Sequence, residues 1–244
     1  MENPWNTLSK RQPYILDVDQ EWVLEYQKKL QKIVSRYSGE EKKNKIIDTY
    51  SLHTEDIPFP YFGNPHTAKV IVLQANPGHD SKLSLRPDYQ DIMDLDYKNL
   101  FHLNTPGIYS MTPKYREWVY TDGTASRCWY WMHTRGLHEH IGLNWENVAN
   151  KVLFMEYFPY RSKRLLYPDQ YPESQNYTFY LLRELMKKKA YVIMTRMERF
   201  WIKAVPELTD YPYYVKHKNP RGVYLSKKNL GSDHFEAIIK LLGN

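Results

Sequence analysis

The chain has 244 residues, enough for one generous α/β domain with a sizeable core. Its 34 lysines and arginines outnumber 28 aspartates and glutamates, a formal charge of +6 that suits a polyanionic partner without requiring one. One cysteine, Cys128, excludes a disulfide framework, a cysteine-ligated iron–sulfur cluster within the chain and a cysteine-rich zinc site. The N-terminal MENPWNTLSKRQPYIL lacks an apolar signal core, and no run of about 18 apolar residues exists. A cytoplasmic protein with no membrane span is therefore expected.

In chain order, Asp19–Tyr37 has helical periodicity, with Trp22, Tyr26, Leu30, Ile33, Val34 and Tyr37 on one face. Ser38–Asn44 (SGEEKKN) reads as a solvated loop, and Ile57–Pro65 (IPFPYFGNP) as a second loop rich in proline, glycine and aromatics. Four short apolar or β-branched runs follow: Lys69–Ala75, Val152–Phe158, Tyr191–Thr195 and Gly222–Ser226. Helical patterns cover Asn176–Lys189 and Arg196–Ala204. A last helix starts at Ser232, with Phe235, Ile238, Ile239 and Leu242 on one stripe. Alternating strands and helices predict a three-layer α/β/α fold around a short, mostly parallel sheet, within a single domain covering 1–244. Residues 1–56 form an N-terminal helical extension in this reading, and 79–150 a long insertion between the first two core strands.

Ligands of such sheets sit beyond the carboxyl ends of the strands. There the sequence places Asn76-Pro77-Gly78-His79, then Glu156 through Ser162, then Arg196 and Arg199, then Ser226 through Ser232. All are polar or of special backbone geometry. Standing alone, Asn76-Pro77-Gly78 is better explained as an ordinary β-turn, and the exposure of strand ends explains the polarity of each other segment equally well.

The pattern from Pro58 to Gly78, P-x-P-x-x-G-x-x-x-x-A-K-V-x-x-x-x-x-N-P-G, resembles the uracil-DNA glycosylase superfamily. So does the order of the later elements, over roughly Pro58–Leu242. The Asn-Pro-Gly form is most similar to the mismatch-specific branch, the classical uracil enzymes having an acidic residue where Asn76 stands. The resemblance implies a monofunctional DNA N-glycosylase, needing neither metal nor cofactor, in which Asn76 holds the hydrolytic water. Pro77 and Gly78 would fix the turn and admit the sugar. An oxocarbenium-like transition state lets a positioned water attack without a strong base.

In the superfamily an amide-bearing residue inside the second strand reads the flipped base. Here Glu156 takes that place. An ionised carboxylate repels uracil O4 and accepts from cytosine N4, so the departure points to a cytosine-type or modified base. The structural alternatives are pairing of Glu156 with Arg161 or a lysine at the sheet edge, or a strand register shifted by one or two residues. The second signature, a His-Pro-Ser type loop, is altered to Ser226-Lys227-Lys228-Asn229 and lacks the histidine. These four residues, with Gly78, His79 and Arg161, are the expected DNA contacts. Phe62 and Tyr157, with Tyr61 and Tyr160 nearby, are candidates for the stacking shelf that base flipping needs. Leu230 is the candidate wedge.

A monomer acting on DNA, in repair or in defence against modified foreign DNA, is the resulting expectation. A catalytically inactive nucleic-acid-binding member of the same fold is the alternative. An unrelated flavodoxin-like hydrolase with a small-molecule pocket is a third reading. His133, His138 and His140 lack the H-E-x-x-H spacing of a metal helix, and neither GxGxxG nor GxxxxGK[ST] occurs. Cys128, among aromatics, reads as buried and inert.

Overall fold

Strands covered on both faces need continuous apolar runs rather than alternating ones. Three such runs form the sheet centre: β2 (Val70–Leu73), β3 (Val152–Met155) and β4 (Tyr191–Met194). The computed structural model describes residues 1–79, 85, 89–101, 129–141, 148, 150–166, 170–219 and 222–243. With β1 (Tyr61–Phe62) and β5 (Tyr214–Lys216) the sheet has five strands in the order β1-β3-β2-β4-β5. Strands β2 to β5 run parallel, and only β1, at the edge, is antiparallel. Leu73 lies opposite both Met155 and Met194.

Residue alternation splits the core in two. Ile71, Leu73, Leu153, Met155, Val192 and Met194 pack on one side. They meet Trp22 and Tyr26 of α1 (Gln20–Val34), Phe179 and Leu182 of α5 (Gln175–Lys187), and Trp201 of α6 (Glu198–Ala204). Val70, Val72, Val152, Phe154 and Ile193 face the other way. There they meet Tyr130 and Leu137 of α4 (Trp129–Ile141) and Phe235, Ile238 and Leu242 of α8 (Ser232–Gly243). Helices on both faces of a mostly parallel sheet make a mixed α/β fold compatible with three layers. No helix among the described residues is long and apolar enough to cross a membrane.

Residues 1–56 are built into the first core, since Trp5, Leu8, Leu16 and Trp22 belong to it. Asp19 is fully buried and accepts from Ser174 N–H (2.9 Å), Ser174 Oγ (2.6 Å) and Tyr160 OH (2.7 Å). It thereby pins the start of α1 to the start of α5. Gly63 closes the β1 edge at φ 126°; a Cβ there would lie 2.6 Å from the Val152 carbonyl oxygen, so only glycine fits.

Three expectations are corrected. Ser38–Asn44 is not a loop throughout: α2 (Glu40–Tyr50) begins inside it. Gly39 at φ 91° breaks the chain, Glu40 and Glu41 favour the positive helix end, and no α2 side chain is buried, so apolar periodicity gave no signal. The loop Ile57–Pro65 contains β1. Gly222–Ser226 is not the fourth parallel strand; β5 takes that place. Val223 and Leu225 are buried in the second core, but Leu225 N–H bonds the His133 carbonyl of α4 instead of a strand. Apolar content there reports burial, not pairing. Most of the expected insertion, Cys128 included, lies outside the described residues, which here include α3 (Tyr89–Leu100) and α4.

Candidate functional site

The sheet ladder runs one residue past the strands. Gln74 N–H donates to Met155 O (2.8 Å), Thr195 N–H to Leu73 O (3.1 Å) and His217 N–H to Met194 O (2.9 Å). Continuing the register aligns Gln74, Glu156, Thr195 and His217 in one row, all four buried. Each stands two residues after a member of the second core, so alternation carries the row to that side. A row of polar side chains following the apolar runs of β2, β3 and β4 and the end of β5 marks the carboxyl edge as the chemically distinct part of the sheet.

The loop Asn76–His79 leaves β2 beside the segment Glu156–Ser162 that leaves β3. Phe158 N–H bonds Ala75 O (2.9 Å) and Ser162 N–H bonds Pro77 O (3.2 Å). Asn76 Nδ2 donates to Ser162 O (3.1 Å), Ser162 Oγ (3.0 Å) and Pro77 O (3.2 Å). Orientation of the amide follows from this network. Carbonyl oxygens can only accept, so the NH₂ group must face them, and Oδ1 turns away with its lone pairs unused among the described residues. Asn76 lines an open cleft of about 790 Å³ with Tyr50, Lys163, Arg164, Arg196 and Lys216. Lys163 is paired with Asp48 and Lys216 with Glu198, yet the rim keeps a cationic excess suited to phosphates.

Glu156 is 3% exposed, and its Oε2 has no hydrogen-bond partner among the described residues. Burial pushes its carboxyl up to about 8, with Arg196 and then Arg161 opposing the shift in part. The carboxyl is therefore predominantly neutral at pH 7. Arg161 does not pair with it: the guanidinium bonds Asp96 (2.9 Å), Ile57 O (3.1 Å) and Gly78 O (3.4 Å) and lies over the Phe59 ring. Burial likewise raises Asp96, to about 6, against the pull of Arg161.

This gives a stability prediction. The folded value of Glu156 lies above its unfolded value near 4.5, so the native state holds a proton that the unfolded chain releases. The unaltered protein should lose stability relative to Glu156→Gln as pH rises from about 4.5 to about 8, and no further above. The difference should be on the order of a few kcal/mol, read from urea unfolding at stepped pH. Parallel pH profiles for the two proteins would contradict it.

Tyr157 is buried in the first core against Phe158, Phe179 and Trp201, and Phe62 is buried in the second beside Phe59 and Tyr130. The two rings are thus on opposite sides of the sheet. Leu230 is 2% exposed in the second core, which corrects its reading as a wedge. Ser226, with Lys228 and Asn229 of the short α7 (Lys227–Leu230), lines a separate cleft with Arg135, Lys218 and Tyr224. Lys227 pairs with Glu236. His79 bonds Asp56, and Gly78 is exposed. The structure therefore brings Asn76 and the Glu156 segment together and sets the Ser226 loop apart. Ser162, which orients Asn76 from 86 positions away, had no sequence signal beyond lying after a strand.

Comparison with family models, curated proteins and solved structures gives no match for the chain.

Proposed function

We propose that the protein is a monofunctional DNA glycosylase of the uracil-DNA glycosylase type, flipping a nucleobase and hydrolysing its glycosidic bond. The observation that carries this reading is the fixed carboxamide of Asn76. Its donors are consumed by Ser162 and Pro77, and its oxygen is left to hold a water at the carboxyl end of a parallel strand, beside a cationic cleft. Hydrolysis through an oxocarbenium-like sugar asks for a placed water rather than a strong base. DNA supplies the polyanion that Lys163, Arg164 and Arg196 can receive.

The Glu156 carboxyl defines the base class. Ionised, it only accepts, which favours the amino group of cytosine-type bases. Neutral, it offers one donor and one acceptor, and by exchanging which oxygen carries the proton it matches either cytosine N3/N4 or uracil N3/O4. The raised value near 8 thus relaxes the cytosine preference at neutral pH and restores it in alkali. The test is mass spectrometry of bases released from otherwise identical oligonucleotides carrying uracil, cytosine or modified cytosines. The ratio of cytosine-type to uracil release should rise through about pH 8, and should stay flat in Glu156→Gln. No base released from any substrate, together with salt-dependent DNA binding, would replace this reading by a non-catalytic DNA binder.

A further inference from the structure

A cluster of titratable side chains joins the 53–56 segment to His79, at the end of the Asn76 loop, and has no role in the proposed base hydrolysis. His53 and His79 lie face to face, ring planes 3° apart and centroids separated by 3.3 Å. Each imidazole holds a carboxylate at Nδ1: Glu55 at 2.7 Å from His53, and Asp56 at 2.9 Å from His79. One nitrogen of each ring and a Glu55 oxygen all fall within 4.8 Å of one another. Among the described residues, Nε2 of His53 is buried with no hydrogen-bond partner.

Two imidazoles in van der Waals contact, with a carboxylate beside them, are an uneconomical way to fill space. Aromatic rings prefer an offset or an edge contact to a close face-to-face stack. The same groups are a familiar donor set for a divalent transition ion, for which imidazole nitrogen and carboxylate oxygen are suitable ligands. Asp56 adds what such a site needs outside its ligands. Its carboxylate, 8% exposed as a residue, accepts Nδ1–H of His79, which fixes the tautomer and leaves Nε2 as that ring's ligand atom. We infer that His53, Glu55 and His79 form a binding site for one zinc-like divalent cation, with Asp56 as the orienting group on His79. Bound there, the ion would tie the 53–56 segment to the end of the Asn76–His79 loop, a link that now rests on the His79–Asp56 bond and on Arg161. Arg161 supports the same junction, its backbone carbonyl accepting from His53 N–H (2.9 Å) and its guanidinium donating to Gly78 O (3.4 Å). The role is structural, and it does not depend on the glycosylase reading.

The experiment is a zinc titration of the purified, chelator-stripped full chain in competition with a chromophoric chelator, followed by the visible spectrum of the cobalt-loaded protein. One zinc per chain is expected, with ligand-field bands of cobalt in an imidazole–carboxylate environment. His53→Ala and His79→Ala should each abolish stoichiometric binding. Asp56→Asn, which keeps the shape of the side chain, should weaken it by about 10- to 100-fold. His140→Ala, on α4, should bind as the unaltered protein does. Should the histidine variants fail to fold, the cobalt spectrum and Asp56→Asn still decide. Absence of ligand-field bands in the unaltered protein, or full affinity in Asp56→Asn or in a folded histidine variant, would overturn the site.

Discussion

Replacing Asn76 with alanine is expected to lower base release by about 10²- to 10³-fold, the cost of losing a group that places a reacting water. Folding should survive, because the side chain is only partly buried and its three hydrogen bonds are worth roughly 1 kcal/mol each at most. The more telling variant is Asn76→Asp. A carboxylate could take the proton from water, so chemistry alone predicts a faster enzyme. The surroundings predict the reverse. Ser162 O and Pro77 O are both acceptors and face position 76, where an aspartate has no donor for them. Like partial charges would turn the carboxylate out of place and desolvate nothing in return, so Asn76→Asp should also fall below the unaltered protein. Single-turnover assays on a base-containing oligonucleotide, with melting curves as the folding control, read both variants. An Asn76→Asp protein faster than its parent would show that Ser162 does not dictate the residue at 76.

The largest effect on stability is expected at Asp19, which does not line the cleft. Asp19→Ala removes the acceptor for Ser174 N–H, Ser174 Oγ and Tyr160 OH in a place water does not reach. An unsatisfied buried donor costs about 1–3 kcal/mol, and hydroxyls can rotate to soften part of that loss. A total near 3–5 kcal/mol is expected, a large share of the roughly 5–15 kcal/mol that holds a domain folded. Burial raises the carboxyl of Asp19 against those same hydrogen bonds, so the charge itself is costly and the net contribution is less than three bonds would suggest. Asp19→Asn keeps one acceptor for Ser174 N–H and should lose about half as much. Urea unfolding gives the comparison. A loss under about 1 kcal/mol for Asp19→Ala would mean that the start of α1 is held by packing of Trp22 and Tyr26 alone.

Much of the fold was legible because it rests on local pattern. The runs VIVL, VLFM and YVIM are apolar throughout, and only a strand covered on both faces has a use for that. The stripes of α1 and α8 have one buried face each, which periodicity reports. Elements without such a stripe escaped: α2 buries no side chain, β1 is two residues long, and β5 has a single buried residue. Conversely, Gly222–Ser226 looked like a strand because Val223 and Leu225 are buried in the second core, though Leu225 N–H bonds α4 and not a strand.

By itself, then, the sequence determined the mixed α/β class, the three central strands and the position of Asn76 and Glu156 just beyond two of them. Those features depend on neighbours a few residues away. Tertiary structure alone decided that Ser162 turns the Asn76 amide, that Glu156 is buried with its Oε2 unpartnered among the described residues while Arg161 goes to Asp96, that the Ser226 loop lines a different cleft, and that His53 meets His79. Each of these joins groups distant in the chain, and the properties at stake, an amide's direction and a carboxyl's proton, are set by what surrounds a side chain and not by its own chemistry.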